Sequence, residues 1–194
     1  MKKLATLLLL TLSVSLAGSQ AKAQDGFFSN ARTLAKGTGS IAIQPVFLTE
    51  QDDFMMMFRG AYGLNHGLTG HFKLGAFDDD VYVGAHLEAN IADESQSGIS
   101  IAAISGIYSQ NELGLKAGLN FSKNFHPVSF YTGLNYQPLF LDGNTLNALL
   151  IPVGVDIHLK EESRFDLIFE GDISVNDDAE YLQSLTFGAR FYLN

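Results

Sequence analysis

From Ser40 onward the chain repeats a single pattern that leaves few folds open to it. Apolar and polar residues alternate with period two through ten segments: Ser40 to Leu48, Phe54 to Leu64, Leu68 to Phe77, Val81 to Ile91, Ile99 to Tyr108, Glu112 to Ser122, Val128 to Pro138, Leu149 to Leu159, Arg164 to Ile173 and Leu182 to Leu193. Such alternation marks an extended strand with one apolar face. Turn-forming clusters such as Asn65-His66-Gly67, Asp78-Asp79-Asp80 and Asp142-Gly143-Asn144 separate the segments. The pattern predicts an all-β fold of about ten strands, and joining or splitting one hairpin gives about eight or twelve.

The two faces differ in chemistry. One carries residues such as Phe54, Phe58, Phe72, Leu87, Leu119, Phe130, Val155 and Phe169 with almost no charge. Around the whole set this face amounts to on the order of fifty apolar positions, more than the inside of a small barrel holds. The opposite face carries many glycines and a charge network of Arg59, Lys73, Glu88, Lys116, Asp156, Asp166, Glu170, Asp172 and Arg190. Hydrocarbon satisfies neither those groups nor an open sheet edge. The arrangement that reconciles both faces is a closed antiparallel up-and-down transmembrane β-barrel, charged side inward. Pro45 and Pro152 fall inside predicted strands, and their missing N–H predicts a bulge at each.

Ahead of the strands, Met1 to Ala23 joins a basic start (Lys2, Lys3) to a short apolar run and an Ala21-Lys22-Ala23 pattern, which predicts a signal peptide over residues 1–23. Its cleavage removes three lysines and no acid, taking the formal charge from −9 to about −12. Nucleic acid is excluded as a partner on that charge. The chain has no cysteine, so neither disulfides nor thiolate metal sites are available to an exported protein. Residues 24–39 read as an N-terminal periplasmic lead-in, with a small plug as the alternative, and residues 40–194 as the barrel.

The last stretch, LQSLTFGARFYLN from Leu182 to Asn194, puts Leu185, Phe187, Ala189, Phe191 and Leu193 on one face. With the signal peptide, this terminus resembles the closing strand of bacterial outer-membrane β-barrels. In that family the closing strand is also the segment that the assembly machinery recognises. The resemblance implies a porin-like place in the outer membrane of a Gram-negative cell envelope, with outer-membrane lipid, lipopolysaccharide and the assembly machinery as partners. It also implies that both termini are periplasmic, so that the odd-numbered connections face out of the cell.

Those odd connections hold Asp52, Asp53, Asp78, Asp79, Asp80, Asp177, Asp178 and Glu180, and no Lys or Arg. One mouth is therefore a ring of negative potential. It suits divalent cations bridging to lipopolysaccharide phosphates, the entrance of a narrow cation-preferring pore, or simply solvated loops. No cofactor is otherwise expected. Inside the barrel, the hairpin at Asn65-His66-Gly67 sets Arg59 opposite Lys73. A tight turn at Asp78-Asp79 sets His71 opposite His86 with Glu88 nearby, a candidate metal set or a group of structural histidines. His158 and Asp166 also come within reach of one another.

Enzymes are not expected. Small outer-membrane barrels include lipid A modifying enzymes and omptin proteases, but the connections here are too short to build a cleft above the membrane, and no GxSxG or HExxH motif occurs. The reading is a structural or interaction protein of the envelope. The alternative is a soluble periplasmic barrel with its apolar face turned inward around a lipid or another hydrophobic ligand.

Overall fold

The computed structural model describes residues 30–76, 81–159 and 164–193. The predicted signal peptide, Phe77, Asp78, Asp79, Asp80 and the segment 160–163 lie outside the described residues. Ten strands follow in chain order: β1 (Gly39–Leu48), β2 (Asp53–Asn65), β3 (Leu68–Ala76), β4 (Val81–Ala92), β5 (Ser100–Gln110), β6 (Glu112–Phe125), β7 (Val128–Leu141), β8 (Asn144–His158), β9 (Phe165–Ser174) and β10 (Ser184–Leu193). Each pairs antiparallel with its sequence neighbours, and β1 pairs with β10, closing the barrel. A four-residue helix, α1 (Glu94–Ser97), joins β4 to β5, and a short 3-10 helix (Asp177–Leu182) joins β9 to β10.

The strand periodicity survives in the burial pattern, which alternates along most of the strand length, with Gln137, Pro138 and Leu139 of β7 buried in a row as an exception. The apolar face points outward: Phe58 is 49% exposed, Phe72 52% and Phe187 49%. Aromatic rings gather toward both rims. Phe47 meets Phe54 and Phe187 near one mouth, while Phe125 meets Phe130 and Phe165 meets Phe191 near the other. Such paired girdles around an apolar band are how a barrel meets the two surfaces of a bilayer.

The inward face is filled. Its charged members sit among Tyr82, Tyr131, Lys73 and Gln44, all buried. The interior is not wholly polar, however. Toward the acidic mouth Val46, Leu48, Met55, Met57, Tyr82, Tyr108 and Leu139 form an apolar layer across the lumen. Glycines make room for the larger inward side chains. A Cβ on Gly154 would stand 2.2 Å from the Tyr131 ring, and one on Gly114 2.2 Å from the Tyr108 ring. These rings therefore lie flat over a glycine on the neighbouring strand, Tyr131 opposite Gly154 and Tyr108 opposite Gly114.

The prolines do not make bulges. Pairing on either side of Pro45 stays in one frame, Ile43 with Ala189 and Val46 with Thr186, and Pro45 itself pairs with Met56. Pro152 likewise pairs with Asp172 while the β7–β8 frame continues past it. The reason is that a strand residue offers its N–H to one neighbour only, so each proline costs one ladder position and leaves the other ladder intact. At Pro45 the carbonyl instead accepts from the Thr186 hydroxyl at 2.8 Å. Register shifts occur at Gly63/Asn65 and Asn90/Ala92, both near the mouth that holds the chain ends.

Overpacking the inside should matter far more than decorating the outside. Gly154→Val should lower stability by about 1–3 kcal/mol or more, seen as a lower urea midpoint for the folded, fast-migrating gel band in detergent. Adding Tyr131→Ala should recover much of the loss. Gly60→Val, where an added Cβ meets nothing within 4 Å, should leave that midpoint unchanged.

Candidate functional site in the terminal mouth

The predicted register holds inside the barrel, with Arg59 opposite Lys73 and His71 opposite His86. The like charges are reconciled by a relay. Arg59 donates to His71 Nδ1 from Nε at 3.2 Å and lies 2.7 Å away through Nη2. A guanidinium only donates, so Nδ1 accepts and Nε2 carries the proton that it gives to Glu88 at 2.9 Å. The His86 ring stacks on His71 at 4.4 Å. His71, His86 and Glu88 are thus brought together, with both His71 nitrogens in hydrogen bonds, one to Arg59 and one to Glu88. Lys73, Lys116 and Glu170 are buried and engaged, and Asp172 accepts from the Ser184 hydroxyl at 3.2 Å.

A second cluster lies at the mouth where β1 begins and β10 ends. β8 supplies Asp156 and His158, β9 supplies Asp166, and β10 supplies Arg190 and Tyr192. Arg190 Nη2 donates to Asp156 Oδ2 and, at 2.9 Å, to Asp166 Oδ2. Asp166 also accepts from the Tyr192 hydroxyl at 2.5 Å and pairs with His158 Nδ1 at 2.8 Å. Ser129 Oγ lies 3.3 Å from the other ring nitrogen.

Residues 30–38 cross this mouth as a strap. Asn30 donates to Asp156 Oδ2 at 3.0 Å, and Arg32 Nη1 lies 3.5 Å from His158 Nε2. Leu34 N–H donates to Thr69 Oγ1 at 2.8 Å, and Gly37 and Thr38 exchange backbone bonds of 2.9 Å with Gly63. Gly63 has to be glycine here, because a Cβ would stand 2.1 Å from the Ala35 carbonyl. The strap leaves a recess of about 480 Å³ on the side of His158, Asp166 and Arg190, and another of about 470 Å³ beside Asn90, Asp93 and Ser100. Asp93 caps α1 by accepting from the Ser95 N–H and hydroxyl, both at 2.9 Å, which holds its carboxyl below the usual aspartate range.

At the acidic mouth, Asp52, Asp177 and Glu180 are exposed and Asp53 and Asp178 partly so. The 3-10 helix folds down over the opening, packing Ala179 and Leu182 on Ala148 and Leu150 of β8. Asp178 accepts from the Asn147 N–H at 2.9 Å, so this acid is part of the fold of the connection. Burial and the nearby Asp178 push the Tyr181 hydroxyl up to about 12.

Sequence reasoning did not find the strap contacts of Asn30 and Arg32, nor five buried carboxamides, Gln44, Gln110, Asn120, Asn135 and Gln137, that accept and donate no hydrogen bond among the described residues. Strand periodicity assigns the carboxamides inward but says nothing of partners across the lumen. The Asn30–Asp156 bond spans 126 positions and leaves no local signal.

No protein-family model and no curated protein matches the chain. Solved structures do. The chain is similar to a KdgM porin, at 10% identity and a TM-score of 0.55, covering 80% of this chain and 99% of the porin. Further matches are the KdgM porin in complex with disordered oligogalacturonate (TM-score 0.48, 11% identity, 80% and 99% coverage) and a de novo designed transmembrane β-barrel (0.43, 12%, 84% and 100%). The 0.55 match shows a shared fold, a closed antiparallel β-barrel.

Arg190→Ala would leave Asp156 and Asp166 buried side by side without their shared guanidinium, and should cost about 3–5 kcal/mol. Arg190→Lys should recover only part, since an ammonium lacks the planar fork that bridges two carboxylates. The urea midpoint of the folded gel band reads both. At the α1 cap the folded pKa of Asp93 lies below its unfolded value, so its stabilisation is present above the ordinary aspartate pKa of about 3.9 and is lost as pH falls through the folded value. The hydrogen-exchange protection of the Ser95 amide should fall over that window.

Proposed function

We propose that this protein is an integral outer-membrane barrel with a structural or interaction role in the envelope, closed to solute flow in the described conformation, and acting without enzymatic turnover. One observation carries the reading: an apolar, aromatic-rimmed exterior encloses a lumen packed with buried charges and a transverse apolar layer. Bilayer lipid is the natural surrounding for the first, and the second sets Met55, Met57 and Leu139 in the way of a solute. The strap closes the terminal mouth further. A soluble lipid carrier would need the opposite arrangement, with an apolar lumen and a polar exterior.

The acidic mouth supports a second role for the same molecule. Its exposed carboxylates, with no basic residue among the odd connections, attract divalent cations and through them lipopolysaccharide phosphates. The reading against enzymatic turnover is supported by the inward placement of His71 and His86 and by the hydrogen bonds that occupy His71 and His158. Outer-membrane assembly machinery is the expected partner during biogenesis.

Planar-bilayer recording of the refolded mature protein is the test. The bilayer should remain electrically silent while the same sample shows a heat-modifiable folded band. Discrete cation-selective steps would overturn the closed-lumen reading in favour of a narrow pore. Full recovery in the soluble periplasmic fraction would overturn the membrane assignment.

A further inference from the structure

Asp156, His158 and Asp166 each offer one ligand atom, and those atoms lie within 4.8 Å of one another. We propose that they form a site for a divalent transition-metal cation of the zinc class, at the base of the recess beneath the strap.

The arrangement of Arg190 is the first reason. The guanidinium takes Oδ2 of both aspartates and so leaves both Oδ1 atoms turned toward the imidazole. Two carboxylates around one guanidinium carry a net negative charge, which a second cation offsets. Arg190 then acts as the outer partner that orients ligating carboxylates.

The second reason is independent of charge. Asp156 is fully buried, yet its Oδ1 accepts no hydrogen bond among the described residues. It lies 4.0 Å from His158 Nδ1. Asp166 Oδ1 is 2.8 Å from the same nitrogen. Ligands held about 2.0–2.1 Å from a tetrahedral zinc are about 3.3 Å apart, between those two distances. A cation seated there opens the shorter contact slightly and closes the longer one, while satisfying an orphaned carboxylate oxygen.

The imidazole can take the tautomer that the ion needs. Binding at Nδ1 moves the imidazole proton to Nε2, where Ser129 Oγ at 3.3 Å can accept it. Arg32, now near Nε2, is exposed and free to turn outward. The recess of about 480 Å³ is lined by His158 and Asp166 and has room for water as a fourth ligand. One imidazole and two carboxylate oxygens suit zinc-class ions better than magnesium or calcium, which prefer all-oxygen shells.

Cobalt(II), a spectroscopic stand-in for zinc, tests the proposal on the full mature protein refolded in detergent. One equivalent should give the intense visible absorption of a four-coordinate site, displaced by zinc. Cobalt held only by the acidic mouth would remain six-coordinate and weakly absorbing, and that result would overturn the proposal. Asp156→Asn and His158→Gln should each weaken binding about tenfold or more, whereas the double variant His71→Gln/His86→Gln should bind as the parent does. Unchanged binding in the first two would overturn the assignment. Should they fail to give the folded gel band, the unaltered protein still decides: zinc should raise the temperature at which that band is lost, and no rise would overturn the site.

Discussion

Closure of the backbone ladder between β1 and β10 is the constraint on which everything else rests. In a hydrocarbon surrounding no water is available for an unpaired N–H or C=O, so an open sheet of these strands would carry two costly edges. Pairing Gly39 with Leu193 and Leu48 with Ser184 removes both edges and fixes the barrel. Once it is closed, period-two alternation sorts every side chain to one of two environments. The prolines are tolerated because each interrupts one ladder on one side.

Closure also creates a narrow interior that has to be filled. Two solutions stack along the barrel axis. Toward the acidic mouth, methionine, leucine and tyrosine side chains meet as an apolar layer. Below it, cations and carboxylates from different strands offset one another. Glycines opposite Tyr131 and Tyr108 allow rings to lie against the wall and span the gap between strands. The result is a rigid, electrostatically organised core inside an apolar shell, the reverse of a soluble barrel.

The two mouths are partly covered by different means. A 3-10 helix with two apolar residues covers one, held by Asn176 and Asp178 on the open edge of β8. A strap covers the other through polar bonds to Asp156 and Thr69 and a backbone exchange with Gly63. The cluster around Arg190 therefore sits where barrel wall, strap and solvent meet. That position gives it both the burial that orders its ligand atoms and the access that a small ion needs.

The sequence by itself indicated about ten strands, two faces of opposite chemistry, and the pairs Arg59–Lys73, His71–His86 and His158–Asp166. Each follows from alternation and from short turns, which act over neighbouring strands and so leave a local trace. Tertiary structure alone decided that Arg190 of β10 reaches across to Asp156 of β8, that Asn30 joins them, and that apolar side chains from five strands meet in one cluster inside the barrel. It also set His71 between Arg59 and Glu88. Those contacts depend on the barrel's radius and on how strands stagger around it, quantities set by all ten strands together and recorded in no single stretch of the chain.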